Sequence, residues 1–135
     1  MKVDGRCHCG LVSYEAEVDP AAVEICHCTD CQTLSGSAFR VIVAASAESF
    51  RLTSGVPKTY VKTAASGNRR VQAFCPECGT PLYGTTESPT PAFFGLRVGA
   101  IRQRDALTPT AQFWCTSAQN WVDRLGGIEK FDGEG

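Results

Sequence analysis

Residues 24–39 read EICHCTDCQTLSGSAF and contain three cysteines, Cys26, Cys28 and Cys31, within six positions. Cysteines clustered in this way bind metal ions as thiolates, whereas cysteines one or two residues apart rarely join in a disulfide. A tetrahedral zinc site needs four ligands, and in catalytic sites the protein supplies three of them. The triplet is therefore either an open zinc site or a closed one that takes its fourth ligand from elsewhere in the chain.

Two cysteine pairs lie outside this stretch, Cys7 and Cys9 in GRCHCG and Cys75 and Cys78 in AFCPECGTPLYG. The second pair has the two-residue spacing of a zinc knuckle, and the glycine after it permits the tight turn. Because a knuckle supplies only two ligands, we expect Cys7 and Cys9 to complete a closed four-cysteine zinc site with a structural role. If these four cysteines form the structural site, the triplet has three ligands of its own, and we expect it to be the open, catalytic zinc site.

The eighth cysteine, Cys115, stands in the apolar segment QFWCTS, and three interpretations of it stay open. We expect a buried core thiol, since lone cysteines in apolar surroundings are mostly small buried hydrophobes. It could instead close the triplet into a second four-cysteine site, or act as a reactive thiol. His8 and His27 each lie between two cysteines, where an extended chain points the side chain away from the shared metal, so we expect neither to be a ligand.

The composition is that of an ordinary globular domain, with 43% hydrophobic and 20% charged residues over 135 positions. We expect residues 1–135 to form one domain, with a loosely held Gly-rich tail from about residue 126. The formal net charge of -1 provides no field for nucleic acid or anionic lipid. No stretch has the apolar length of a membrane helix or a signal peptide, so we expect a cytoplasmic protein with neither nucleic acid nor membrane as partner.

Alternating polar and apolar residues predict a mostly β fold. In VSYEAEV, from Val12, the apolar side chains share one face and the polar ones the other, as in a half-buried strand. Further strands are predicted at FRVIVAA (39–45), TYVKT (59–63), RRVQAF (69–74), AFFGLRVGAI (92–101) and AQFWCTS (111–117). Helix is expected for about one turn after Cys31, and PAAVE (20–24) is a second candidate for a helix.

Together these segments resemble the glutathione-dependent formaldehyde-activating enzyme family, which includes the centromere protein V-like domains. The similarity covers nearly the whole chain and runs through GRCHCGLVSYEAEV (5–18), ICHCTDCQTLSGSAF (25–39), SFRLTSGVPKTY (49–60), RRVQAFCPECGTPLYG (69–84) and NWVDRL (120–125). It implies small twisted antiparallel β-sheets, stacked in a single zinc-stabilised domain. It also implies two zinc ions, a structural one on Cys7, Cys9, Cys75 and Cys78 and a catalytic one on Cys26, Cys28 and Cys31.

The activity of the family is the addition of glutathione to formaldehyde, which gives S-hydroxymethylglutathione and is a carbon-sulfur lyase reaction in the reverse sense. The resemblance therefore implies an enzyme whose substrates are a small thiol and a small aldehyde. Many members carry a His in the strand before the final Trp, where this chain has Gln112 or a neighbour. Glutathione carries two carboxylates, so its site needs cations, and the candidates are Arg69, Arg70, Lys58 and Lys62. At most one of the two arginines should face the pocket, since neighbours on a strand alternate.

Two other functions stay open from the residues alone. A binding module would hold two closed structural zinc ions, but the scattered Lys and Arg form no basic patch of the kind that binds nucleic acid. A methionine sulfoxide reductase-like enzyme would use Cys115 as an exposed thiol of lowered pKa, which leaves the triplet without a role. Iron is a chemical alternative to zinc on thiolates. The residues carry no signal for an oligomeric state.

Overall fold

The computed structural model describes residues 1–135, and nine β-strands make up most of its regular structure. The strands are β1 Lys2–Arg6, β2 Ser13–Cys26, β3 Arg40–Ser46, β4 Arg51–Ser54, β5 Lys58–Thr63, β6 Arg69–Phe74, β7 Pro81–Thr86, β8 Phe93–Arg97 and β9 Ala111–Phe113. One α-helix, α1 Thr29–Ser35, follows β2, and four 3₁₀ helices lie at Val98–Ala100, Arg104–Ala106, Cys115–Ser117 and Val122–Gly127. The prediction of a mostly β fold is confirmed. No helix has the length and apolar character needed to cross a membrane.

The long strand β2 connects the two parts of the sheet. Its first half pairs with β1 and β4, and from Val18 onward it pairs with β3, with a register shift between Val18 and Val23, and at its end also with β9. From β3 the sheet continues in the order β3-β8-β7-β6-β5, so that all nine strands are hydrogen-bonded together. Every pairing is antiparallel except that of β2 with β9. The antiparallel sheets that the family resemblance implies are thus joined through one strand.

The core lies between the two parts of the sheet. The alternation predicted for β2 buries Tyr14 and Ala16 and leaves Glu15 exposed. The ring of Tyr14 packs on Phe50 with centroids 5.3 Å apart, and Phe50 stacks on Phe94 of β8 at 4.2 Å. Aromatic pairs at these separations contribute about 0.5–1.5 kcal/mol each beyond the area they bury. These contacts link the first half of β2 to β8 across the core.

The segment PAAVE (20–24) is extended and belongs to β2, so the prediction of a helix there is wrong. Val23 is buried and pairs with Val43 of β3, while Glu24 pairs with Ala111 of β9. A short apolar run does not distinguish helix from strand by its pattern. Here strands on both sides supply hydrogen bonds to the backbone, and this pairing decides the conformation.

Several element boundaries differ from the sequence patterns. The predicted strand at 92–101 ends at Arg97 and the one at 111–117 ends at Phe113, because each continues into a 3₁₀ helix. The helix α1 begins before Cys31, with Cys28 as its N-cap residue. Three strands, β1, β4 and β7, are not predicted. In β1, Gly5 lets the backbone approach the ring of Tyr14 more closely than any side chain would allow.

Candidate functional site

Seven of the eight cysteines gather into two clusters of free thiols. Within each cluster the sulfur atoms all lie within 4.8 Å of one another, and no His, Asp or Glu atom joins either one. The four-cysteine cluster contains Cys7, Cys9, Cys75 and Cys78, and the three-cysteine cluster contains Cys26, Cys28 and Cys31. Thiols arranged in this way can act as ligands of a common ion, so each cluster could hold a metal ion.

The four-cysteine cluster joins the start of the chain to the turn after β6. The sulfur of Cys9 lies 3.6 Å from that of Cys7 and 3.7 Å from that of Cys75. Backbone N–H groups donate to the two buried sulfurs, from Val12 to Cys7 at 3.2 Å and from Cys78 to Cys75 at 3.5 Å. Such donors stabilise the thiolate, which is the form of cysteine that binds a metal.

Cys78 is one of the two exposed thiols of this cluster, together with Cys9. The hydroxyl of Thr80, 3.2 Å from the sulfur, lowers the pKa of Cys78 to about 5, together with backbone hydrogen bonds from Cys9 and Thr80. The same hydroxyl accepts a hydrogen bond from the backbone N–H of His8 at 3.0 Å, and the His8 residue itself is exposed. Gly79 has a φ of 76°, which the tight turn after the second thiol requires.

The three-cysteine cluster lies where β2 leads into α1. Cys26 is the last residue of β2, Cys28 is the N-cap of α1, and Cys31 lies within the helix. Burial raises the pKa of Cys31 to about 12. Burial also raises the pKa of Cys28, but the N–H of Cys31, which donates to the Cys28 sulfur at 3.3 Å, and the neighbouring thiols bring it below its ordinary value. Cys28 is therefore the thiol of this pair that ionises first.

His27 belongs to neither cluster although it stands between two of these cysteines. Its ring is buried, and Nε2–H donates to Oε1 of Gln112 at 2.7 Å. Its carbonyl oxygen accepts from Nε2 of Gln32 at 2.8 Å and from the hydroxyl of Ser117 at 2.9 Å. Through these hydrogen bonds His27 connects the loop between β2 and α1 to β9 and to the turn that follows β9.

Cys115 is exposed and lies outside both clusters, so the expectations of a buried core thiol and of a fourth ligand are wrong. The chain turns just before it, because Trp114 has a left-handed conformation with a φ of 57° that ends β9. Phe113 and Trp114 are themselves 47% and 60% exposed and provide no apolar cover. Apolar neighbours in the sequence therefore do not bury this thiol.

One of the four predicted cations lines a cleft beside the clusters. The cleft has a volume of about 470 Å³, lies between α1 and strands β5 to β8, and has Lys58 in its wall. Lys62 and Arg69 are each paired with a carboxylate, at 2.9 and 2.6 Å, and neither they nor Arg70 line the cleft. A larger open groove of about 940 Å³ runs along β1 and β2, and no cysteine lines either cavity.

Two further arginines line this cleft, Arg40 at the start of β3 and Arg97 at the end of β8. Neither is among the cations predicted from the sequence. Both donate to one oxygen, Oε1 of Gln72, from Nη1 of Arg40 at 3.0 Å and from Nη2 of Arg97 at 2.8 Å. Burial lowers the pKa of Arg97 to about 9, and the charge of Arg40 adds to this effect. The sequence does distinguish these arginines, because each is the one charged residue in an otherwise apolar strand segment, FRVIVAA for Arg40 and AFFGLRVGAI for Arg97.

Comparisons with known proteins assign the chain to a family. The model of a family described as glutathione-dependent formaldehyde-activating enzyme matches residues 2–117. A solved structure of a Rhodobacter sphaeroides protein is similar in fold, with a TM-score of 0.61 and 23% sequence identity over 81% of this chain and 98% of that one. No curated protein matches the chain. Because the matched residues make up most of the sequence and include both thiol clusters, the chain belongs to the glutathione-dependent formaldehyde-activating enzyme family.

Proposed function

We propose that the protein is a zinc-dependent enzyme that adds a small thiol of the glutathione type to a small aldehyde such as formaldehyde. The observation that carries this proposal is the difference between the clusters, four thiols in one and three in the other. In the reaction a sulfur-carbon bond forms and the carbonyl double bond becomes a single bond. The thiol loses its proton to solvent and the former carbonyl oxygen gains one. With formaldehyde the product is an S-hydroxymethyl adduct. The reverse direction is a carbon-sulfur lyase reaction.

The thiol geometry suits zinc. Zinc-sulfur bonds of about 2.3 Å in a tetrahedron place the sulfurs about 3.8 Å apart. The separations of 3.6 and 3.7 Å in the four-cysteine cluster are close to this value. We therefore assign a structural zinc to Cys7, Cys9, Cys75 and Cys78 and a catalytic zinc to Cys26, Cys28 and Cys31.

Cys26, Cys28 and Cys31 would hold the zinc ion, which would favour the ionised form of a substrate thiol more than it would polarise a carbonyl, because three thiolate ligands already give the site negative charge. The chain itself supplies the rigid frame. The N–H of Cys31 donates to the sulfur of Cys28 and helps to lower the pKa of that thiol, which favours its thiolate form. The hydrogen bond between the side chains of His27 and Gln112 fixes the segment that carries Cys26 and Cys28.

The proposed reaction can be tested by exchange NMR on a mixture of formaldehyde and glutathione. We expect zinc-loaded wild-type protein to accelerate formation of the adduct, and Cys28→Ser protein to give the rate seen without protein. Cys115→Ser is the matched control and should keep the acceleration, since that thiol lies outside both clusters. A fully metallated wild-type protein that gives no acceleration would refute this substrate pair. Loss of the acceleration in Cys115→Ser would indicate that the exposed thiol of Cys115, and not the triplet, carries out the reaction.

A further inference from the structure

Arg40, which is buried, and Arg97, which is half-buried, carry positive charge that no carboxylate of the chain neutralises. Arg40 is only 7% exposed, and its Nε has no hydrogen-bond partner. The ion pairs of the structure join other residues, and neither of these arginines takes part in one. The acceptor that they share, Oε1 of Gln72, is neutral. Buried charges in proteins are normally paired, because an unpaired one costs several kcal/mol.

The register of the sheet places both arginines on the same face as the three-cysteine cluster. Arg40 is directly opposite Cys26 in the β2–β3 pairing, and Arg97 is directly opposite Ile42 in the β3–β8 pairing. Residues opposite each other share a face with Cβ atoms about 5 Å apart, and residues two apart on one strand also share a face. The first thiol and the two guanidinium groups therefore follow one another across one surface.

Two glycines leave space for the side chain of Arg97. Gly95 pairs with Gly84, and Gly84 pairs with Gln72, so the three form a row across β8, β7 and β6. A Cβ at Gly84 would lie 2.6 Å from Nη2 of Arg97, and one at Gly95 would lie 3.7 Å from Nη1. A side chain at Gly84 would therefore displace the guanidinium. The absence of side chains at these two glycines lets Arg97 reach the cleft and donate to Gln72.

With zinc bound to the triplet, this face would carry a net positive charge, which one anion would neutralise. Three thiolates around a divalent ion carry one net negative charge, whereas two guanidinium groups carry two positive charges. A guanidinium donates in a fixed fork that matches a carboxylate. The cleft is small, at about 470 Å³, and its wall also includes Leu34, Tyr60 and Phe74. A cleft of this size with apolar and aromatic walls suits a small organic acid.

We propose that Arg40 and Arg97 bind a carboxylate of the substrate, so that at least one partner in the thiol addition is a carboxylic acid. The link to catalysis rests on the proposed function, whereas the binding can be measured by itself. The carboxylate arrives either with the thiol, as in glutathione, or with the aldehyde, as in glyoxylate, where the carboxylate is bonded directly to the aldehyde carbon. Both sources present the same group to the same two arginines.

Isothermal titration calorimetry on the zinc-loaded protein tests the proposal with two pairs of probes that differ in their carboxylates. The pairs are glutathione against its diethyl ester and glyoxylate against glycolaldehyde. In the pair that represents the true source, we expect the acid to bind about 10-fold more tightly or better, as for charge-assisted hydrogen bonds. The preference should fall to about 2-fold in Arg97→Gln and Arg40→Gln. It should remain in the control Arg69→Gln, an exposed arginine paired with Glu87.

Equal binding of acid and neutral probe in both pairs would overturn the proposal, and so would a preference that persists in both cleft variants. If Arg40→Gln fails to fold, Arg97→Lys gives a further test, because lysine keeps the charge but loses the fork and should lose part of the preference. The two proposals fail separately. An intact carboxylate preference without accelerated exchange would refute only the reaction. Accelerated exchange that is equal for glutathione and cysteamine, with no binding preference, would refute only the carboxylate site.

Discussion

Replacement of Cys75 by serine is expected to destabilise the protein far more than the same replacement at Cys28. Cys9 and Cys75 are 66 residues apart in the chain and their sulfurs are 3.7 Å apart, so an ion in the four-cysteine cluster closes a long loop. Treated as a cross-link, a loop of this length restricts the unfolded chain by about 4 kcal/mol. The whole stability of a small domain is about 5–15 kcal/mol. Loss of this cluster should therefore remove a large part of it.

The three-cysteine cluster closes only short loops. Cys28 and Cys31 are three residues apart, and Cys26 lies two positions before Cys28. An ion in this cluster thus restricts the unfolded chain little. We expect Cys28→Ser to change the free energy of unfolding by about 1 kcal/mol or less, as is usual for a mild substitution. It should still remove the metal ion from this cluster.

Urea denaturation of the zinc-loaded proteins, followed by circular dichroism, measures this difference. With an m value of about 2 kcal/mol/M, a loss of about 4 kcal/mol lowers the urea midpoint by about 2 M. Cys115→Ser is the matched control, because it removes an exposed thiol outside both clusters and should keep the wild-type midpoint. A Cys75→Ser midpoint within about 0.5 M of this control would refute the cross-link reasoning. An equal fall in Cys28→Ser would instead give the triplet a structural role.

Gly84→Ala should abolish the preference of the cleft for acids while the protein stays folded, because a Cβ there would lie 2.6 Å from a guanidinium nitrogen; calorimetry with the acid and ester probes checks this. Gln112→Ala leaves the buried ring of His27 without its partner and should lower the free energy of unfolding by about 1–3 kcal/mol, read from urea curves. Asp4→Asn should lower the urea midpoint at neutral pH and have little effect in strong acid. Hydrogen bonds from Arg102 lower the pKa of Asp4, so its stabilisation is complete above the ordinary value of 3.8 and disappears as the pH falls through the lowered one.

The features that the sequence predicts best are those set by neighbouring residues. The alternation in β2 is visible because one face of the strand is buried, and Tyr14 and Ala16 lie in the core as this pattern requires. The spacing of Cys75 and Cys78 is likewise local, since the turn that brings two thiols together needs only the residues between them and the following glycine. These two kinds of signal suffice for the mostly β fold and for the family.

The features that the sequence does not predict depend on residues far apart in the chain. Val23 is buried because β3 and β9 pair with its strand, which no pattern within PAAVE can indicate. Cys115 is exposed because one residue before it, Trp114, turns the chain away. Arg40 is visible in the sequence as a charge in an apolar run, but its partner Gln72 lies 32 residues further on. Only the pairing of β3 with β8 in the folded sheet shows that this arginine and Arg97 lie close enough to share one acceptor.

The cleft depends on the four-cysteine cluster through β6 and β7. Strand β6 leads directly into Cys75 and carries Gln72, which accepts hydrogen bonds from both guanidinium groups. Gly79 and Pro81, which follow Cys78, form part of the cleft wall. A metal ion on these thiols would fix the end of β6, so less entropy would be lost in ordering Gln72 and its partners on binding of the proposed carboxylate. The four-cysteine cluster would in that way favour the proposed binding although none of its cysteines lines the cleft.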